Sequence, residues 1–228
     1  MPDGNGGWYI GGNFTKIGAE IRNRLARINA DGSLHAWNPN ANNVVNAMVL
    51  DGNVLYVGGN FTSVGGETRN RIAAIDINTG LANAWNPNAL GIVNTMVLDG
   101  NVLYVGGSFT NIGGQSRNRI AALDAASGLS TSWNPGASGP VNTIAVDGAN
   151  LYVGGNFINI GGAARNRIAA LDLATGPATS WNPNASNTVA SILITGNTVY
   201  AAGHFTTIGG AARNYIAALN IADGQATA

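Results

Sequence analysis

Asparagine, tryptophan and arginine are the residues with chemistry to offer in this 228-residue chain. By contrast cysteine is absent, lysine occurs once at Lys16, and the two histidines are His35 and His204. Without cysteine there is no thiolate nucleophile, no zinc–thiolate cluster and no disulfide frame. Neither histidine has a unique carboxylate and nucleophile at a fixed offset, so a Ser-His-Asp arrangement finds no support, and no histidine pair has metal-ligand spacing. The Gly-Gly-Asn-Phe segments lack the Lys-Ser/Thr of a phosphate loop. The Asp-Gly-Asn segments place single aspartates too far apart to gather the six or more oxygens of a calcium site. What remains is hydrogen bonding by Asn, stacking by Trp and anion or carbonyl binding by Arg.

These residues recur on a fixed beat, which decides how they are read. Phe14, Phe61, Phe109, Phe157 and Phe205 are separated by 47, 48, 48 and 48 residues, and Trp37, Trp85, Trp133 and Trp181 by 48 each. The pairs Arg22-Asn23, Arg69-Asn70, Arg117-Asn118, Arg165-Asn166 and Arg213-Asn214 keep the same spacing. A catalytic group is needed once, so enzyme chemistry would show as a break in the repeat. The breaks are Lys16, Glu20, His35, Glu67, Gln115, His204 and Tyr215. They suggest no catalytic set, and the sequence reads as a chain that is not an enzyme and needs no cofactor.

One unit, Val93 to Ser138, parses into four short strands: Val93 to Leu98, Val102 to Val105, Arg119 to Asp124, and a segment around Ser130 to Trp133. Asp99-Gly100-Asn101 closes the first hairpin. A loop from Thr110 to Ser116 carries a Gly-Gly pair, and Asn134-Pro135 stops the fourth strand. No stretch has a sustained helical period. Ala47-Met48-Val49-Leu50 and Ile144-Ala145-Val146 are apolar on both parities, the mark of a sheet covered on both faces. Four-stranded sheets arrayed radially supply that burial, and a repeat of 47–48 residues fits a propeller blade. The expected fold is an all-β propeller of about five four-stranded blades. It forms a single domain over 1–228, with units near 1–44, 45–92, 93–140, 141–188 and 189–228.

The segment Arg24-Leu-Ala-Arg-Ile-Asn-Ala-Asp-Gly-Ser-Leu34 followed by Trp37-Asn38-Pro39, with Tyr56-Val-Gly-Gly-Asn-Phe61 and its copies, resembles the delta-60 type of bacterial β-propeller repeat. A similar signature occurs in repeats of fungal cell-surface polarity proteins. The resemblance spans nearly the whole chain. It implies a propeller that is secreted or at the cell surface and belongs to a larger protein with flanking domains. It implies no activity.

Phase sharpens the blade count. Asp3-Gly4-Asn5 matches the Asp51-Gly52-Asn53 turn, and Ala228 falls one position before the next expected tryptophan. Five units with one blade incomplete at the chain ends are therefore expected. Eleven basic and eleven acidic residues give zero net charge, which argues against a nucleic-acid footprint. The apolar runs are too short to insert a helix in a membrane, and the N-terminal residues do not form a signal peptide.

The repeated motifs have structural readings first. An Arg-Asn-Arg triplet with an Asp ending the same strand reads as an Arg–carboxylate or Arg–carbonyl tie, against an anion-capturing ring. Trp in Trp-Asn-Pro reads as filling between sheets, against stacking on sugars. First strands should line the axis, where Asn46, Asn94 and Asn142 recur and Ala190 replaces the fourth copy. That set can order water or bind a small polar ligand. The ligand-binding candidates are thus Asn46, Asn94, Asn142, Trp37, Trp85, Trp133 and Trp181, with no metal site. The expected function is a non-catalytic scaffold or binding module for an unidentified protein or glycan. Its alternatives are a lectin-like propeller and an engineered or excised array without activity of its own.

Overall fold

The computed structural model describes residues 1–227, and among them strands are the only regular elements. The third blade shows the pattern. Val93–Asp99 pairs antiparallel with Val102–Gly107, which pairs antiparallel with Ile120–Asp124. A bridge from Leu123 to Ser130 adds the fourth segment. The same order is built from Val45–Asp51, Val54–Gly59 and Ile72–Asp76, from Val141–Asp147, Asn150–Gly155 and Ile168–Asp172, and from Val189–Thr195, Thr198–Gly203 and Ile216–Asn220. The first blade has Trp8–Gly11 on Leu25–Ile28, with Pro2 bridging Trp8 and Leu34 bridging Ile28. The fold is an all-β propeller array with an incomplete first blade.

Two local features depart from the sequence reading. The fourth strand shrinks to one bridge, because side chains take the backbone donor that a ladder would use. The Trp133 N–H donates to Thr131 Oγ1 at 3.2 Å, and the Trp85 N–H donates to Asn83 Oδ1 at 2.9 Å. Asn-Pro then ends the segment. Conversely, the Thr110–Ser116 loop holds a small hairpin, Asn111–Ile112 on Gln115–Ser116. Gly113 and Gly114, at φ 59° and 76°, turn it through a region where side chains are disfavoured.

First strands touch one another from blade to blade and lie innermost. The core lies between blades rather than within one. Tyr56, Ile72 and Ala74 of the second blade pack with Val93, Met96, Leu103 and Val105 of the third, and the next two junctions repeat this. Glycine makes the approach possible. A Cβ on Gly58, Gly106 or Gly154 would stand 2.4, 2.5 or 2.7 Å from the Cγ1 of Val93, Val141 or Val189 in the following blade. A Cβ on Gly107 would stand 2.1 Å from the Ile92 carbonyl oxygen. The series of blades is open among the described residues. Trp8 and Ile10 on the first blade, and Leu193, Tyr200 and Ile216 on the fifth, are exposed.

These distances rank two glycine substitutions. Gly107→Ala must move backbone and should cost about 3 kcal/mol. Gly100→Ala meets no atom within 4 Å and bears only its φ of 54°, a cost of about 1 kcal/mol. Urea denaturation of the two variants should show the larger loss for Gly107→Ala, and equal losses would contradict the close-approach account.

Candidate functional site

The axial asparagines sit on β-bulges. The register of the third blade jumps from Val93↔Gly107 to Thr95↔Gly106, so Asn94 has no partner across the ladder. The same break falls at Asn46, Asn142 and Ala190. A bulge re-aims its side chain, and each Asn Nδ2 donates to a valine carbonyl of the following blade. Asn46 reaches Val93 at 3.0 Å, Asn94 reaches Val141 at 2.9 Å and Asn142 reaches Val189 at 3.2 Å. Thr95 and Thr143 reinforce the seam, their hydroxyls accepting from the N–H groups of Ile144 and Ile192. The axial asparagines therefore clasp blades, and their amide nitrogens are engaged before any ligand arrives.

The tryptophans lie in the core. Trp37, Trp85, Trp133 and Trp181 are 3–6% exposed, too little to offer an indole face to a sugar. Each meets the tyrosine of its own blade edge-on, at ring centroids 5.0–5.2 Å apart. The indole nitrogens of Trp37, Trp133 and Trp181 donate at 3.1 Å to the carbonyls of Asp76, Asp172 and Asn220 in the next blade. Trp85 makes no such bond, and its nitrogen is buried without a partner.

The arginines tie loops to carbonyls rather than to the strand-end aspartates. Arg117 donates to the carbonyls of Ser116 and Thr131, and Arg69 to those of Thr68 and Asn83. Arg119 donates to the Ala137 carbonyl at 2.7 Å. Arg24, Arg71, Arg119, Arg167 and Tyr215 share a φ of 61–66°. This costly conformation recurs in every blade and is locked at both ends. The Arg119 N–H donates to the Phe109 carbonyl, and its carbonyl accepts from Gly107. Asn88 and Asn184 are also left-handed, where Asn is tolerated, and Gly136 replaces them in the third blade.

The strand-end aspartates cap turns. Asp124 accepts the hydroxyl and N–H of Ser127, each at 2.7 Å, and those bonds hold its carboxyl below the usual aspartate value, the hydroxyl first. Thr175 does the same to Asp172, and Thr79, with its N–H bond first, to Asp76. Asp3 is buried and accepts from Asn5, Gly7 and Arg27, with a 2.7 Å ion pair to Arg27; these bonds, that from the Asn5 N–H first, lower its pKa. Lys16, Glu20 and His35 belong to the first blade and His204 to the fifth. His35 Nδ1 accepts the Trp37 N–H at 2.9 Å, the role that Asn83 and Thr131 play elsewhere. Among the described residues no three His, Cys, Asp or Glu side chains gather as a metal site.

What is left open is the seam between neighbouring blades. A cleft of about 390 Å³ lies where the Asn86-Pro87-Asn88 loop of the second blade meets the Asn111–Gln115 hairpin and the Ser127–Leu129 turn of the third. A second cleft of about 300 Å³ repeats it between Asn134-Pro135 and Gly161, Gly162 and Thr175. Polar Asn, Gln and Ser groups stand beside the exposed side chains of Leu90 and Leu129. Sequence reasoning missed this site because its lining comes from three turns in two blades. The signal available was that Gly-Gly, Asn-Pro and Asx turns fall on one beat.

Comparison with known proteins places this geometry. Residues 92–227 match the family described as outer membrane protein assembly factor BamB. Residues 4–34 and 51–73 match a domain of unknown function (DUF5122) beta-propeller. No curated protein matches the chain. Among solved structures, the computationally designed Ika8 protein is similar at 12% identity, covering 90% of this chain and 67% of its own, with a TM-score of 0.54. The computationally designed Ika4 protein is similar at 13% identity, covering 78% and 91%, with a TM-score of 0.49. The likeness to the Ika8 protein speaks to fold, not to activity.

Two outcomes follow from this geometry. Asn94→Ala removes one blade clasp and should cost about 1 kcal/mol in urea denaturation; no loss would mean that the clasp contributes nothing. The carboxyls of Asp76, Asp124 and Asp172 are lowered on folding, so their stabilisation is present above the unfolded aspartate value and lost as pH falls through the folded one. The melting temperature should drop below about pH 4. Ser127→Ala, which removes the chief cause at Asp124, should flatten that drop; an unchanged profile would count against the turn.

Proposed function

As the chain belongs to the family described as outer membrane protein assembly factor BamB, we propose that it is a non-catalytic binding scaffold of a larger extracytoplasmic protein, built from delta-60 type repeats. One observation carries this reading. The indoles of Trp37, Trp133 and Trp181 and the axial Asn groups are engaged across blade seams and the Arg groups within their own blades, whereas clefts stay open at two successive seams. Two shallow clefts at successive seams, the first with amide groups beside the exposed Leu90 and Leu129, suit an extended ligand engaged at both, where each weak contact adds to avidity. The family description supports a protein ligand and a place outside the cytoplasm. The mixed polar and apolar lining at Gln115, Ser127 and Leu129 favours a second reading, a neutral glycan.

The test is binding and turnover measured on the same preparation. Extended peptides and neutral oligosaccharides are titrated against the chain by NMR. Shifts should appear at Gln115 and Leu129, and Leu129→Asp should abolish them without lowering the melting temperature. Shifts from peptides alone support the scaffold reading, and shifts from oligosaccharides alone support the glycan one. Chemical conversion of any ligand, lost in His35→Ala or His204→Ala, would overturn the non-catalytic reading.

A further inference from the structure

We propose that the seam between the second and third blades holds a subsite for a peptide carbonyl at the Asn111 N–H. The proposal deepens the scaffold reading above and rests on it. Its origin is local. In the third blade Ile112 and Gln115 flank the Gly113-Gly114 turn, and the Arg117 N–H donates to the Thr110 carbonyl. Opposed residues of an antiparallel pair alternate between bonded and unbonded, so Asn111, opposite Ser116, turns its N–H and carbonyl out of the hairpin. The carbonyl accepts the Leu90 N–H of the second blade at 2.9 Å.

At the other three internal seams the matching N–H is capped by a side chain of the preceding blade. Asn42 Oδ1 accepts from Thr62 and Ser63 at 2.9 and 3.1 Å. Ser138 Oγ accepts from Ile158 and Asn159, both at 3.0 Å. Ser186 Oγ accepts from Thr206 and Thr207 at 2.9 and 3.0 Å. The seam between the second and third blades has Leu90 at this place, and its side chain accepts nothing. Its main-chain carbonyl takes the Thr110 N–H at 3.2 Å, and Gly91 follows at a φ of 142°. Among the described residues the Asn111 N–H is left without a hydrogen-bond partner.

The cleft changes with the cap. At this seam it has about 390 Å³ and is lined by both Leu90 and Asn111. At the next seam it has about 300 Å³, and neither Ser138 nor Asn159 lines it. The lining selects the occupant. No Lys, Arg, Asp or Glu borders the larger cleft, so it suits a neutral acceptor rather than an anion. Leu90 and Leu129 are exposed in it and suit an aliphatic group beside that acceptor. Gln115, where the other blades have Glu67, Ala163 and Ala211, adds a carboxamide that both donates and accepts. An extended peptide carries a neutral carbonyl, an N–H and an aliphatic side chain within one residue, whereas a sugar lacks the aliphatic part. Its carbonyl would do from outside what Ser138 Oγ does from within the chain.

Amide exchange and NMR titration of the full chain test this. Without ligand, the Asn111 N–H should exchange about tenfold or more faster than those of Ser63, Asn159 and Thr207. Titration with acetyl-Leu-Ala-Leu-amide should shift the Asn111 amide. Leu90→Ser restores the oxygen present at Ser138; it should slow Asn111 exchange to match the others and weaken peptide binding about tenfold. Leu90→Ala leaves the N–H open, so the Asn111 shift should persist and separate capping from loss of the leucine. Slow exchange at Asn111 in the wild-type chain overturns the subsite. So does equal peptide affinity in Leu90→Ser, or peptide shifts confined to Gly161 and Thr175; in those two cases the scaffold reading stands. Maltotriose shifting Asn111 where the peptide does not overturns the peptide assignment. No shift at either cleft overturns the scaffold reading together with the subsite.

Discussion

Close approach of one sheet to the next is the constraint on which the rest of this molecule depends. At Gly58, Gly106 and Gly154 the space that a side chain would need is taken by a valine methyl of the following blade. Because the sheets come this near, Leu103, Val105, Ala121 and Leu123 are fully covered. A core made of seams gives near-additive stability along a chain of like units. It also makes each seam a place where several unlike interactions must agree in register.

That requirement explains why so many polar groups are occupied. The indole of Trp133 reaches the third-strand end of the next blade, Asn94 clasps the next first strand, and Arg117 ties its own loop to the Thr131 carbonyl. Buried donors left without partners would cost more than these bonds contribute, so once the sheets close up their side chains are committed. The chemistry open to a ligand is then what the turns leave at the surface. In this chain that is the cleft between the Asn-Pro loop of one blade and the Gly-Gly hairpin of the next. Sites grafted on a fold in this way vary with their turn residues, as Gln115 does against Ala163 and Ala211.

Particular residues show where sequence reasoning reached and where it stopped. The spacing of Phe109 and Phe157 shows the repeat, and the Asp99-Gly100-Asn101 turn shows the first hairpin, because both are local signals. The tie between Arg and backbone carbonyls is half legible: the donor is plain, but its acceptor is chosen by which loop folds back. Asn94 is the clearest case of a residue placed at the right depth with its role unseen. Its spacing puts it on a first strand, yet a one-residue bulge turns its amide toward Val141, 47 residues away. The tryptophans, read first as filling between sheets, lie edge-on to tyrosines of their own blades, an orientation that no one-dimensional pattern carries.

The sequence by itself determined an all-β chain of repeating units with balanced charge. Period, turn residues and apolar strands are properties of neighbours along the chain, so they survive without a third dimension. Tertiary structure alone decided that the seam is the core, that bulges aim the axial asparagines across it, and that clefts open between blades. It also decided that Trp8 and Ile216 stand uncovered at opposite ends. The physical reason is common to all four: each is a distance between residues of different blades, and such distances are set only when the sheets pack.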